Sequence, residues 1–121
     1  MTEEMKKQLG FSLAHIGVNA ETPEEALKIA QLLADIFGFD MNVGRSSIFC
    51  ENRAIEITKS KGLGAHGHLA IGTNDIVLAQ KCLEEMGIAF REETRVVKEE
   101  KTIAIYLQDE IAGFAVHLLQ R

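Results

Sequence analysis

Apolar and polar positions along this chain follow two periods, one strand-like and one helical, and the two succeed each other in the same order twice. Ser12–Asn19 alternates and is rich in apolar side chains, which predicts a strand. Glu21-Thr22-Pro23-Glu24-Glu25 then carries the marks of a helix start. Thr22 suits the N-cap, Pro23 the first helical position and Glu25 the capping-box position. Ala26, Ile29, Ala30, Leu33 and Phe37 recur at helical spacing, and Gly38 ends the helix. Three short strands are predicted next, at 41–43, 47–51 and 54–59, with a turn at Asn52-Arg53. Residues 61–67 hold Gly62, Gly64 and Gly67 and are expected to form a linker.

The same order then starts again. His68–Thr73 is strand-like, and Asn74 or Asp75 can cap a helix carrying Val77, Leu78, Ala79, Cys82, Leu83 and Met86, stopped by Gly87. Strand-like runs follow at 89–94, 102–107 and 114–119, with a last turn at 109–113. His15-Ile16-Gly17-Val18-Asn19 matches His68-Leu69-Ala70-Ile71-Gly72. Ile36-Phe37-Gly38-Phe39 matches Glu85-Met86-Gly87-Ile88, and 54–58 matches 115–119. The fold class expected is α+β, two tandem βαβββ repeats at about 11–60 and 67–120 whose curved sheets enclose a cleft. The competing reading is two unrelated α+β units that share only composition. A single domain at 11–121 would follow a lead-in segment at 1–10, where 1–9 can form a short helix with Met5 and Leu9 on one side.

The first and last strand of each repeat hold one ligand-type side chain: His15, Glu56, His68 and His117. Their neighbours at ±1 are mostly aliphatic (Ala14, Ile16, Ile55, Ile57, Leu69, Val116, Leu118) and are expected under the helices, which turns the ligand-type residues to the cleft. Small residues at ±2 (Gly17, Ala54, Ala70, Ala115) leave room for an ion, a water and a ligand. Any one histidine in a strand is more often a hydrogen-bonded core residue. Four such residues at equivalent positions of two repeats, with a carboxylate that is costly to bury alone, point to a divalent metal: zinc, nickel, cobalt, iron or manganese.

Composition narrows the field further. A chain of 121 residues, 46% hydrophobic and 26% charged, can bury an ordinary core. Its formal charge of -5, with acidic residues spread along the chain, argues against nucleic acid as a partner. The charged start at 1–7 lacks the apolar region of a signal peptide, and no stretch has the length of a membrane span. Cys50 and Cys82 form no CxxC pair and are expected to be reduced, and the expected compartment is the cytoplasm.

These residues resemble the vicinal oxygen chelate superfamily, which includes glyoxalase I, methylmalonyl-CoA epimerase, extradiol dioxygenases and the fosfomycin and bleomycin resistance proteins. The resemblance spans about 11–120. It rests on Ala14-His15-Ile16-Gly17, Ala54-Ile55-Glu56-Ile57-Thr58, Gly67-His68-Leu69-Ala70-Ile71 and Gly113-Phe114-Ala115-Val116-His117-Leu118. It implies metal ligation by His15, Glu56, His68 and His117, and a homodimer. One departure is His117, where the family usually has Glu, which leaves a single carboxylate, Glu56, where two would shuttle a proton. Gly10-Phe11-Ser12-Leu13-Ala14-His15-Ile16-Gly17 and 113–118 also resemble the extra domain fused behind some bacterial 2-dehydro-3-deoxy-phosphogluconate (4-hydroxy-2-oxoglutarate) aldolases.

The function so implied is a metal-dependent lyase or isomerase acting on a small 2-oxo or hydroxy-carbonyl acid, with Glu56 as the base. A small anionic oxygenated metabolite suits a divalent site with one carboxylate. Arg45, Arg53 or Arg91 are candidates to hold a distal carboxylate or phosphate, against their reading as solvated surface residues. The rival readings are a non-catalytic metal or small-molecule binding module, accessory to such an aldolase, and a dimerisation domain with an empty cleft. His66 is expected as a solvated loop residue and 98–101 as a charged hairpin turn. Gly62-Leu63-Gly64 lacks the Lys-Ser/Thr of a phosphate loop, and Cys50 is expected at most as a cleft-edge thiol.

Overall fold

A computed structural model describes residues 1–121. The chain runs α1 (Glu3–Leu9), β1 (Ser12–Asn19), α2 (Pro23–Phe37), β2 (Met41–Val43), β3 (Ser47–Cys50) and β4 (Ile55–Thr58). It continues through β5 (His68–Thr73), α3 (Ile76–Glu85), β6 (Phe90–Lys98), β7 (Lys101–Leu107) and β8 (Ala115–Gln120). All eight strands join one sheet in the order β2-β3-β4-β1-β5-β8-β7-β6. Exchanging the halves reverses that order onto itself, so the repeat seen in sequence is a repeat in space. The two halves meet within the chain through the antiparallel pair β1–β5.

Local signals set most boundaries. Thr22 Oγ1 accepts from the Glu25 amide at 3.1 Å, and Gly38 closes α2 in the left-handed region at φ 72°. Of the two candidates, Asp75 caps α3, its Oδ1 accepting from the Leu78 amide at 3.0 Å. β6 runs four residues past the predicted 94, to Lys98, because Val96, Val97 and Lys98 pair with β7 across a tight turn. Glu99 and Glu100 take that turn with φ 52° and 66°, the left-handed geometry a two-residue hairpin needs.

Each helix covers its own half of the sheet. Ala26 and Ala30 of α2 pack on Ala20, Ile48, Cys50 and Ile57. Ile76 and Ala79 of α3 pack on Ile105 and Leu118, joined by Leu9 of α1. Truncating a fully buried Ile57 or Ile105 to Ala should cost about 2–5 kcal/mol. Leu9 is held by its carbonyl as well, which accepts from Thr73 Oγ1 and the Asn74 amide, both at 2.8 Å.

Three expectations about faces need correction. Ile16 faces the helix side, but it sits at the β1–β5 seam between the two covered halves and stays 39% exposed. Ala14 does not pack under a helix: a bulge in β1 lies between Leu13, opposite Ile71, and His15, opposite Ala70. Ala14 therefore lines a pocket together with His15. Cys50 is no cleft-edge thiol; it pairs with Ile55 on the helix face and is fully buried. Both cysteines are free, and no helix is long and apolar enough to cross a membrane.

Candidate metal centre

Four neighbouring strands, β4-β1-β5-β8, carry the four predicted ligand residues on the concave face. Their registers interleave large and small side chains. Gly17 is opposite both Glu56 and His68, and His68 is opposite Ala115. In the adjoining row Ala70 is opposite both His15 and His117. Each imidazole therefore leans over a glycine or alanine. At Gly17 a Cβ would run into the ring of His68, so the glycine is required by packing rather than by backbone conformation.

The donor atoms converge. Nε2 of His68 lies 3.0 Å and Nε2 of His15 lies 3.3 Å from the same Glu56 oxygen, Oε1. The two Nε2 atoms are 3.2 Å apart. His117 completes a group of three imidazoles whose donor atoms all lie within 4.8 Å of one another. The side chains of His15, His68 and Glu56 are 11%, 5% and 21% exposed, and His117 is 7% exposed, so the cluster is shielded yet open on one side.

Further groups hold these side chains in place. Ser47 Oγ donates to Glu56 Oε2 at 2.9 Å. His117 Nδ1 is 3.0 Å from the Leu118 carbonyl; a carbonyl only accepts, so Nδ1 carries the proton and Nε2 keeps its lone pair. Phe49 stands edge-on to His15 with ring centres 5.6 Å apart. Tyr106, opposite His117 on β7, has its ring centre 4.8 Å from that imidazole.

The electrostatics follow from burial and neighbours. Burial alone would raise the Glu56 carboxyl, but hydrogen bonds from His15, His68 and Ser47 outweigh it and hold the group well below the usual carboxylate range. Burial, with the nearby His68 and His15, lowers His117 to about 4 against the pull of its Leu118 hydrogen bond. Burial and the charge of Glu56 raise Tyr106 to about 12. The site at neutral pH thus holds an ionised carboxylate, a neutral His117 and a neutral phenol.

A divalent ion fits this donor set. With metal–ligand distances of about 2.1 Å, neighbouring ligands stand about 3.0–3.4 Å apart and opposite ones about 4.2 Å. The triangle of His15 Nε2, His68 Nε2 and Glu56 Oε1 has edges of 3.0, 3.2 and 3.3 Å. Imidazole and carboxylate are ligands that zinc, iron, cobalt, nickel and manganese all accept.

Sequence reasoning missed Ser47, Phe49 and Tyr106. Alternation along β7 held a usable signal for Tyr106. Ile105 is fully buried on the helix side, which leaves Ala104 and Tyr106 on the face of His117. Of the arginines considered, Arg91 is paired with Glu93 at 3.0 Å, and only Arg53 comes near the cluster, its guanidinium 3.9 Å from the centre of the Phe49 ring. His66 is exposed in the linker, as expected.

No family model and no curated protein matches the chain. Solved structures do. The hypothetical protein BH1468 from Bacillus halodurans aligns over 93% of this chain and 95% of its own, with TM-score 0.64 and 15% identity. A methylmalonyl-CoA epimerase from Streptomyces coelicolor, bound to 2-nitronate-propionyl-CoA, aligns over 89% and 95% with TM-score 0.61 and 12% identity. The methylmalonyl-CoA epimerase from Mycobacterium tuberculosis aligns over 93% and 89% with TM-score 0.60 and 13% identity. At such identities the likeness concerns the backbone, and it shows that this chain has the glyoxalase-like βαβββ-repeat fold that its internal repeat predicts.

Proposed function

We propose that the chain is a metal-dependent lyase or isomerase of glyoxalase type, acting on a small anionic 2-oxo or hydroxy-carbonyl acid. The observation that carries this reading is the triangle of two imidazole nitrogens and one carboxylate oxygen with edges of 3.0–3.3 Å, closed by a third imidazole. His15, Glu56, His68 and His117 would hold the ion, which supplies Lewis acidity to two adjacent substrate oxygens. One carboxylate against a divalent ion leaves net positive charge, which favours an anionic substrate. Glu56 is the only carboxylate in the cluster and is the group placed to move a proton. The neutral phenol of Tyr106 is placed to donate a hydrogen bond where negative charge develops on substrate oxygen.

The test is elemental analysis of purified protein, then turnover of candidate 2-oxo and hydroxy-carbonyl acids by wild type and Glu56→Gln. Bound metal at about one ion per chain, and loss of turnover in the variant with metal retained by the histidines, are expected. Unchanged turnover in the variant would reject Glu56 as the base, and protein that takes up no divalent ion would reject the reading itself.

A second reading, a non-catalytic binding module accessory to a 2-dehydro-3-deoxy-phosphogluconate aldolase, is favoured by two observations. Both oxygens of Glu56 are engaged, Oε1 by two histidines and Oε2 by Ser47, and His117 stands where a second carboxylate would serve. Tight binding of the same acids without product would select it. In either case we propose a homodimer, supported by the exposed apolar side chains Leu32, Ile36 and Phe37 on α2 and checked by sedimentation.

A further inference from the structure

Next to the donor cluster, on the β1 side, the concave face opens into a second space. It is a pocket of about 390 Å³ whose walls include His15, Phe49, Asn52, Arg53 and Arg121. His15 lines this pocket and belongs to the donor cluster, so the two adjoin at that side chain. A volume of this order suits the tail of a short metabolite.

Two basic side chains line this pocket in an otherwise acidic chain. The protein has 18 acidic residues and a net charge of -5, with five arginines. Arg91 and Arg95 are neutralised by Glu93 and Glu92 at 3.0 and 2.6 Å. Arg53 and Arg121 line the same pocket, and neither forms an ion pair with the side chain of another residue. Two guanidiniums at one concavity offer positive charge and forked donors that suit an oxyanion.

Both are held by groups other than acids. Arg53 lies 3.9 Å above the centre of the Phe49 ring. Its backbone belongs to a turn in which Glu51, Asn52 and Arg53 all take left-handed φ, at 50°, 52° and 69°, pinned by the Asn52 amide donating to Asp40 Oδ1 at 2.8 Å. Arg121 donates its amide to the Thr73 carbonyl at 2.9 Å. Its stem crosses Gly72, where any Cβ would meet it, and its Nη1 donates to Ser12 Oγ at 3.3 Å. The bulge at Ala14 is what puts Ser12, opposite Gly72, on this face. The edge of Phe49 against His15 forms an apolar wall between the donor cluster and the guanidiniums.

We infer that this pocket is an oxyanion subsite and that the substrate has two arms. One arm carries the adjacent oxygens that meet the ion, and the other carries a carboxylate or phosphate held by Arg53 and Arg121, with a short carbon chain along Phe49 between them. The inference rests on the metal-centre reading above for the first arm.

The experiment uses cobalt-loaded protein and two matched pairs of probes, each pair sharing a chelating head and differing in the tail. 2-Oxoglutarate is compared with 2-oxopentanoate for a carboxylate, and dihydroxyacetone phosphate with dihydroxyacetone for a phosphate. Calorimetry should show at least a tenfold preference for the charged tail in one pair, and that pair names the oxyanion. Arg53→Gln and Arg121→Gln should each shrink the preference at least threefold, while the tail-less probe binds as before and the cobalt spectrum stays unchanged, which shows the fold intact. Equal affinity within both pairs, with cobalt bound, overturns the subsite alone. A preference that survives both substitutions also overturns it. Protein that takes up no cobalt overturns the metal-centre reading, and the two-armed substrate with it.

Discussion

The imidazole of His68 lies in the space that a side chain at Gly17 would occupy. The two residues face each other across β1 and β5, and Gly17 is also opposite Glu56. A glycine in the middle of a central strand gives up packing and strand propensity, and here that loss makes room for the His68 ring.

Gly17→Ala should therefore push the His68 ring off Glu56. Metal affinity should fall at least tenfold, while the strand tolerates the change at a cost of about 1–3 kcal/mol from overpacking. Titration with cobalt beside urea unfolding separates the two effects. Unchanged metal affinity would mean that the ring has another way to reach the cluster.

Ser47 orients Glu56 without being a ligand itself. Ser47→Ala removes the donor to Oε2 and should weaken metal binding by about 10–100-fold, the usual effect of losing such a support. Competition with a chelator of known affinity measures it. Ser47→Thr, which keeps the hydroxyl, should recover most of the loss.

His117 makes metal-free stability sensitive to acid. Its folded pKa of about 4 lies below the 6.5 of the unfolded chain, so the unfolded state binds the proton first as pH falls. The contribution is fully present above about 6.5 and is lost between there and about 4, on the order of 2–3 kcal/mol. Urea midpoints measured in excess chelator at pH 7.5 and 4.5 should show this loss in wild type. The loss should be clearly smaller in His117→Leu; equal slopes would remove His117 as its source.

Tyr106→Phe tests the phenol. Turnover should drop by about 10–100-fold with metal content unchanged, as for one lost donor to a developing oxyanion.

Much of the scaffold was legible in the sequence because its signals are local. Thr22, Pro23 and Gly38 bound α2 by capping chemistry, and Asp75 does the same for the start of α3. The convergence of His15, Glu56, His68 and His117 on one face was legible because strand alternation and the repeat agree at those positions. What stayed hidden depends on long-range register. The bulge at Ala14 breaks alternation with no glycine or proline to announce it, and it decides that Ser12 shares the site face. Arg121 meets Ser12 across 109 positions, a contact no local pattern encodes. The exposure of Ile16 and the burial of Cys50 follow from where the helices stop covering the sheet, which periodicity along one strand does not report.

The reversed strand order about β1 and β5 has a chemical consequence. Two identical copies of one half, paired the same way, would always furnish twofold-related donors: two histidines from the inner strands and a matching couple from the outer ones. Joining the halves in one polypeptide lifts that constraint, so a carboxylate at 56 and an imidazole at 117 can occupy equivalent places. The mouth of the site is then inequivalent left and right, with arginines on one flank and a phenol on the other.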